Sequence, residues 1–183
     1  MQPDMVLLDC GKKVFMLKLN IGCGDKKREG YLNVDICGNP DKIVDLSMFP
    51  WPFPDNSVDE VLSEHFLEHC IDFERTMVEI NRILKPGGIN HFRVPHFRGS
   101  FTAWHLHRYQ FSTVTCELIC SKIPYQFEGR QLFELVSLKI GYIYLRPILR
   151  KVFTFLANLA PGKWDWLGLP IDELECVCRK PQV

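Results

Sequence analysis

The sequence predicts an α/β protein built on a layered, mostly parallel sheet with a partly antiparallel far edge. Three observations carry this. Apolar runs and helical periodicities follow in the order strand–strand–strand–strand–helix–strand–helix–strand–helix–strand. A short apolar run ends in Gly22-Cys23-Gly24, and the next one, 31–34, ends in Asp35. That order suits neighbouring parallel strands that hold an adenosine-containing ligand at their carboxyl ends. Glycines let the backbone turn sharply, and an acid at the second strand tip can accept from ribose hydroxyls. Finally, 183 residues are enough for one domain with a full core. No repeat, low-complexity tract or linker interrupts the chain, so 1–183 reads as a single domain.

Each element has its own justification. The first 16 residues suit a small hairpin or a segment packed on a sheet edge. Residues 19–21 form the first strand. The link from Gly24 to the second strand leaves room for about one helical turn, where a parallel crossover ordinarily needs about 10–12 residues. Residues 41–44 read as a third strand ending at Asp45-Leu46. Prolines 50, 52 and 54 then forbid helix or central strand and predict a stiff loop. Residues 58–62 form a fourth strand. Asp72 can cap a helix whose apolar face is Phe73, Met77, Ile80 and Leu84, stopped by Lys85-Pro86-Gly87-Gly88. Residues 89–94 alternate as a fifth strand. A polar-aromatic loop follows, 95–111, with His96, Arg98, Trp104, His105, His107, Arg108 and Tyr109. Such a loop after a central strand reads as a functional surface. Ser112 caps the next helix. Residues 127–144 are strand-rich with a turn at Glu128-Gly129. Pro147 opens an apolar amphipathic helix that ends before Pro161-Gly162, and 174–178 form the last strand.

Composition excludes some classes. Lys+Arg and Asp+Glu both number 22, which argues against nucleic-acid binding through bulk positive charge. No basic, apolar leader is read at the N-terminus, and no apolar run approaches the ~20 residues of a membrane span. The eight cysteines include no CxxC pair and read as reduced thiols in a cytoplasmic protein. Cys116 and Cys120 lie one helical turn apart, downstream of His96, His105 and His107. A metal site could be built from them, but buried cysteine is commonly a small hydrophobe, and no metal is assigned.

Five motifs, in order, resemble those of class I S-adenosylmethionine-dependent methyltransferases. They are Leu19-Asn20-Ile21-Gly22-Cys23-Gly24; Asp35; Val44-Asp45-Leu46 with 52–59; Ser63-Glu64-His65-Phe66-Leu67-Glu68-His69; and Glu79 through Gly88. The resemblance covers roughly residues 18–112. It implies a Rossmann-like three-layer fold with a mostly parallel seven-stranded sheet and an antiparallel last strand. It also implies S-adenosyl-L-methionine as cofactor and S-adenosyl-L-homocysteine as product. Pro95-His96 and His107-Arg108-Tyr109-Gln110-Phe111-Ser112 further resemble the short, type 11-like methyltransferases often linked to polysaccharide assembly. These also have an abbreviated first crossover.

The resemblance implies cofactor contacts from Asn20, Gly22, Cys23, Gly24, Asp35, Asp45, Leu46, Ser63 and Glu64. Asp35 would bind the ribose, Asp45 the adenine amino group, and Leu46 the ring. Plain turn roles are the alternatives for the glycines and both acids. His65, His96 and His107 are the catalytic candidates. His65, with Glu68 and His69, follows the fourth strand close to where the methyl donor would sit and is read first as a cofactor-pocket contact. His96 and His107 are the acceptor-site candidates, since an alcohol benefits from a base and histidine suits neutral pH. Ordering the 95–111 loop is the alternative for His96 and His107. His69 is read equally as packing. Arg98 and Arg108 could hold an anionic substrate. The acceptor expected is a small molecule or glycan hydroxyl. Asn20 departs from the pattern, because many relatives carry an acid there. That departure and the reduced glycine set keep open a non-catalytic, cofactor-binding scaffold. The apolar face of 147–160 is read as core, or as a dimer or peripheral membrane contact.

Overall fold

The computed structural model describes residues 5–6, 14–99, 105–123, 126–141, 147–167 and 171–182. Strands β1 (Met5–Val6) and β2 (Val14–Phe15) pair antiparallel as a leading hairpin. The main sheet holds β3 (Lys18–Ile21), β4 (Leu32–Asp35), β5 (Lys42–Ile43), β6 (Val58–Glu64), β7 (Leu84–Pro95), β8 (Glu134–Gly141) and β9 (Glu173–Arg179). Their order is β5-β4-β3-β6-β7-β9-β8. Pairs from β5 to β7 are parallel, and β9 runs antiparallel to both neighbours. This is the expected Rossmann-like sheet with an antiparallel last strand. The chain steps from β3 to β4 and β5, then returns to β6 on the other flank of β3. The crevice outside the carboxyl ends of β3 and β6 is therefore the topological switch point, where such sheets bind ligands.

Among the described residues, four α-helices accompany the sheet: α1 (Phe73–Ile83), α2 (Thr113–Ile119), α3 (Pro147–Asn158) and α4 (Pro161–Trp166). Asp72 caps α1 by accepting the Arg75 N–H at 3.0 Å. The α1 face formed by Met77, Ile80 and Ile83 is wholly buried. Lys180 closes its far end, donating to the carbonyls of Asn81 and Leu84 at 2.8 Å each. Ser112 and Thr115 form a capping box on α2.

Two differences from expectation have physical reasons. Strand β7 begins at Leu84, which pairs with Val58. The ladder then breaks and resumes at Ile89 opposite Glu60. The Pro86-Gly87-Gly88 breaker thus makes a bulge rather than a loop, with Gly87 at φ +80°. Helix α3 ends at Asn158, ahead of Pro161 as expected, but Pro161 then opens a further helix, α4, that the sequence reading lacked. Proline breaks a helix interior, but its fixed φ suits the first helical position.

The proline-rich segment 49–54 has neither helix nor strand, and it plugs the core. Trp51 and Phe53 are buried, and the Trp51 indole donates to the Leu46 carbonyl at 3.1 Å. At the opposite sheet edge, the Asn158 amide of α3 acts as a substitute strand. It accepts from Ile140 N at 2.8 Å and donates to Ile140 O at 2.9 Å, covering the open edge of β8. No described helix is long and apolar enough to cross a membrane.

Candidate functional site

The glycine turn leaves β3 at its carboxyl end, beside the end of β4. Gly22 and Gly24 both have positive φ, +66° and +51°. A Cβ on Gly22 would fall 2.4–2.7 Å from Phe66. A Cβ on Gly24 would meet nothing within 4 Å. The first glycine is thus required by packing, and the second faces open space. Cys23 between them is buried, and burial raises its thiol pKa. Asp35 closes the turn: Oδ2 accepts Gly24 N–H at 2.7 Å, and Oδ1 accepts Ile36 N–H at 2.6 Å and Cys37 N–H at 3.2 Å. Both oxygens already hold backbone donors, and a carboxylate has lone pairs left for hydroxyls.

Asn20 is buried and turned into the short link. Its amide donates to Asn33 Oδ1 at 2.9 Å and to the Lys26 carbonyl at 3.1 Å. Asn33 in turn donates to Asp41 Oδ2 at 2.6 Å, and Lys27 donates to Asp41 Oδ1 at 2.7 Å. Those bonds, Lys27 first and then Asn33, hold the Asp41 carboxyl well below the usual range.

Past β5, Asp45 is exposed and caps a turn. Its Oδ1 accepts from Ser47 N at 2.9 Å and Ser47 Oγ at 2.6 Å, which lowers its pKa. Leu46 beside it is buried, with its carbonyl held by Trp51.

At the end of β6, the Ser63 hydroxyl is fully buried and has no hydrogen-bond partner among the described residues. Glu64 is held by two arginines, Arg28 at 2.8 Å and Arg93 at 2.9 Å. His65 follows at φ +56°. Its imidazole lies between two acids, with Nε2 3.6 Å from Glu173 and Nδ1 3.4 Å from Glu68. Glu173 and then Glu68 push its pKa up to about 9, so it is an imidazolium at neutral pH.

Glu68, which the sequence places beside His65 and His69 without a role of its own, is central to this site. Its side chain is wholly buried, and neither oxygen accepts a hydrogen bond among the described residues. His69 Nε2 lies 4.0 Å from Oε1, while His69 Nδ1 donates to the Leu106 carbonyl at 3.2 Å. The His69 and His107 rings meet edge to face at 4.8 Å. Donor atoms of Glu68, His69 and His107 lie within 4.8 Å of one another. A tetrahedral zinc shell needs an edge of roughly 3.4 Å, so these atoms stand wider apart than a closed ligand set. Burial lowers the His107 pKa, opposed by the Glu68 charge.

The loop after β7 is pinned onto this cluster, since Arg108 N–H donates to the Glu68 carbonyl at 2.8 Å. His96 is wholly buried, and its Nδ1 accepts the Arg98 N–H at 3.2 Å. Its backbone N–H bonds the Asp172 carbonyl at 3.0 Å. These contacts order the loop. Arg98 lies over the Phe97 ring, 5.2 Å from its centroid. Trp104 lies outside the described residues. Cys116 and Cys120 are buried free thiols, and the expected companion His105 is exposed.

The structure therefore gathers Gly22, Cys23, Gly24, Asp35 and Ser63 at the ends of β3, β4 and β6. It gathers His65 and His107 around Glu68, immediately after β6. Open space beside Gly24, an orphaned buried hydroxyl at Ser63 and an acid at the tip of β4 fit an adenosine-containing cofactor with polar groups at both ends.

Residues 19–92 match the family model described as a methyltransferase domain, which is less than half of the chain. None of the curated proteins compared matches it. Solved structures of similar fold include an S-adenosylmethionine-dependent methyltransferase from Archaeoglobus fulgidus. It has 16% identity, coverage of 90% of this chain and 86% of that one, and a TM-score of 0.58. Another, from Mesorhizobium loti, has 15% identity, coverage of 90% and 91%, and a TM-score of 0.56. A third is the Haemonchus contortus phosphoethanolamine N-methyltransferase 2, bound to phosphomonomethylethanolamine and S-adenosylhomocysteine. It has 18% identity, coverage of 91% and 49%, and a TM-score of 0.55. At such identities these likenesses speak for the fold. The match over 19–92 makes that stretch similar to a methyltransferase domain, and the sheet has the fold of these S-adenosylmethionine-dependent enzymes.

Proposed function

We propose that this protein transfers the methyl group of S-adenosylmethionine to a hydroxyl of a small molecule or glycan, with His107 as the base. One observation carries the reading. Around buried Glu68, two histidines sit in opposite surroundings: His65 lies 3.6 Å from Glu173 and 3.4 Å from Glu68, which push its pKa up, while burial lowers that of His107. His65, between two carboxylates, is already protonated and cannot take a proton. His107, desolvated, stays neutral near pH 7 and can.

The cofactor supplies a methyl on a sulfonium centre: the acceptor oxygen bonds to that carbon as its bond to sulfur breaks, leaving S-adenosylhomocysteine. The protein's part is mainly positioning. Asp35 and the Gly22–Gly24 turn would seat the ribose end, with Cys23 on the wall. Asp45 and Leu46 would meet the adenine. Asn20 would hold the turn, and Ser63 and Glu64 would line the strand-end crevice. His107 would accept the hydroxyl proton, and His96 would keep its loop in place. An acceptor drawn from polysaccharide assembly is in keeping with the Pro95-His96 and His107–Ser112 motifs.

The test is calorimetric titration with S-adenosylhomocysteine, followed by a methyl-transfer screen over hydroxyl acceptors. His107→Ala should abolish turnover while leaving cofactor binding intact. No binding at millimolar ligand would sink the proposal. A second reading, a cofactor-binding scaffold, is favoured by Asn20, whose amide is spent on Asn33 and the Lys26 carbonyl and brings no charge to the site. It predicts binding without turnover on any acceptor.

A further inference from the structure

Helix α3 presents its apolar stripe to solvent. Ile148, Leu149, Val152, Phe155, Leu156 and Leu159 are all exposed, from 43% for Leu156 to 79% for Ile148. The spacing is that of one helical face, the arrangement a core helix normally buries. Here the buried member is Ala157. Beside the stripe, a groove of about 690 Å³ runs between α3 and β8. Its wall carries Leu138, Phe155 and Leu159, and also three cations: Lys139, Arg150 and Lys151. Lys139 has Glu175 at 3.8 Å, which Arg93 already engages at 2.9 Å, and Arg150 feels the charge of Glu173, which His65 already faces at 3.6 Å. Residues 147–164 contain Arg150, Lys151 and Lys163 and no Asp or Glu.

We infer that α3 and this groove are a docking site for an anionic lipid bilayer. The exposed stripe would enter the boundary between headgroups and acyl chains, and the cations would meet lipid phosphates. Charge decides among occupants. A second copy of the same face would oppose cation to cation, whereas an anionic surface complements it. A helix of 12 residues with a polar side lies in the interface plane and does not span it. The inference does not depend on methyl transfer, since binding is read without cofactor or acceptor.

The purified full chain is floated with vesicles of phosphatidylcholine alone, or with about a third phosphatidylglycerol. Three cations near the surface predict roughly a hundredfold preference for the anionic vesicles, released by raising NaCl from about 0.1 M to 0.5 M. Arg150→Glu with Lys151→Glu should abolish the preference. Phe155→Ser with Leu159→Ser should weaken binding to both compositions while S-adenosylhomocysteine still binds. All four positions lie on exposed helix surface, and circular dichroism confirms folding. Three results overturn the inference. One is equal or absent binding to the two vesicle types. Another is displacement by millimolar glycerol phosphate, which would mark a soluble phosphate site. The last is a dimer, seen by sedimentation, that the Phe155→Ser/Leu159→Ser variant dissociates while vesicles go unbound.

Discussion

Gly22 and Gly24 share a left-handed backbone but differ in what surrounds them, so alanine at each separates folding from ligand binding. Left-handed geometry costs a non-glycine residue about 1–2 kcal/mol. For Gly24→Ala that is the whole expected loss, since nothing lies within 4 Å of the new methyl. For a chain of 183 residues it lowers Tm by about 2–8 °C. Gly22→Ala meets the same cost and also places its methyl 2.6 Å from Phe66 Cγ and 2.7 Å from Phe66 Cβ. These are the root of the side chain, not its mobile end, so overpacking adds about 1–3 kcal/mol. Differential scanning fluorimetry should therefore rank Gly22→Ala well below Gly24→Ala. Calorimetric titration should give the inverse lesson. Gly24→Ala, though well folded, should bind S-adenosylhomocysteine at least tenfold more weakly, a loss of about 1.4 kcal/mol or more, because its methyl occupies the space proposed for the cofactor. An unchanged Kd for Gly24→Ala would refute the placement of the ligand at this turn.

Three further outcomes follow from named contacts. Cys37 is an exposed thiol whose Sγ lies 3.7 Å from Asp35 Oδ1, and that carboxylate raises its pKa. Iodoacetamide should alkylate Cys37 faster in Asp35→Asn than in the wild type, and S-adenosylhomocysteine should slow wild-type labelling, as read by peptide mass spectrometry. Asp41 is depressed in the folded state, so its stabilising contribution is complete above the ordinary aspartate range near pH 4 and is lost as pH falls below it. Urea melts between pH 3 and 6 should show that acid loss in the wild type and a smaller one in Asp41→Asn. Asn158→Ala strips both caps from Ile140; it should cost about 1–3 kcal/mol and, by freeing the β8 edge, raise aggregation measured by light scattering.

Local pattern explains why the sheet could be read from the sequence and the acid–histidine cluster could not. Strands β3 and β4 announce themselves because each is a short, largely apolar run ended by a glycine or an acid, and β6 because Val58, Val61 and Leu62 follow a proline-rich loop. Helix α1 does so because Asp72 caps it and its apolar residues recur at helical spacing. Glu68 gives no such signal. It sits in a turn between β6 and α1, where an exposed acid would be unremarkable. Its burial depends on residues 105–109 folding back over it, through Arg108 N–H to the Glu68 carbonyl and His69 to the Leu106 carbonyl. Those contacts span nearly forty residues with no periodicity to foretell them. A visible clue was the i, i+4 pair His65 and His69 around an acid, which needed only a partner from the next loop. His96 shows the converse. Its place after a central strand suggested chemistry, yet its described contacts tie down the loop that carries His107.

Asn20 draws these threads together. As a departure from an expected acid, it read first as a weakness in the cofactor site. In the structure it belongs to a buried amide relay, Asn20 to Asn33 to Asp41, that fastens both ends of the 24–31 link. A parallel crossover of this kind usually packs a helix over the sheet, and that helix buries apolar surface to hold the glycine turn in register. Here the link carries no helix, so the turn must be held by polar bonds instead. An amide serves this better than a carboxylate, because it donates twice: to the Lys26 carbonyl and to Asn33 Oδ1. An acid at position 20 would face those two acceptors with no proton to give. Asn20→Asp should therefore destabilise the fold by about 1–3 kcal/mol and loosen the Gly22–Gly24 turn with it. If instead it tightens S-adenosylhomocysteine binding at unchanged Tm, the residue's primary partner is the cofactor and the relay account fails.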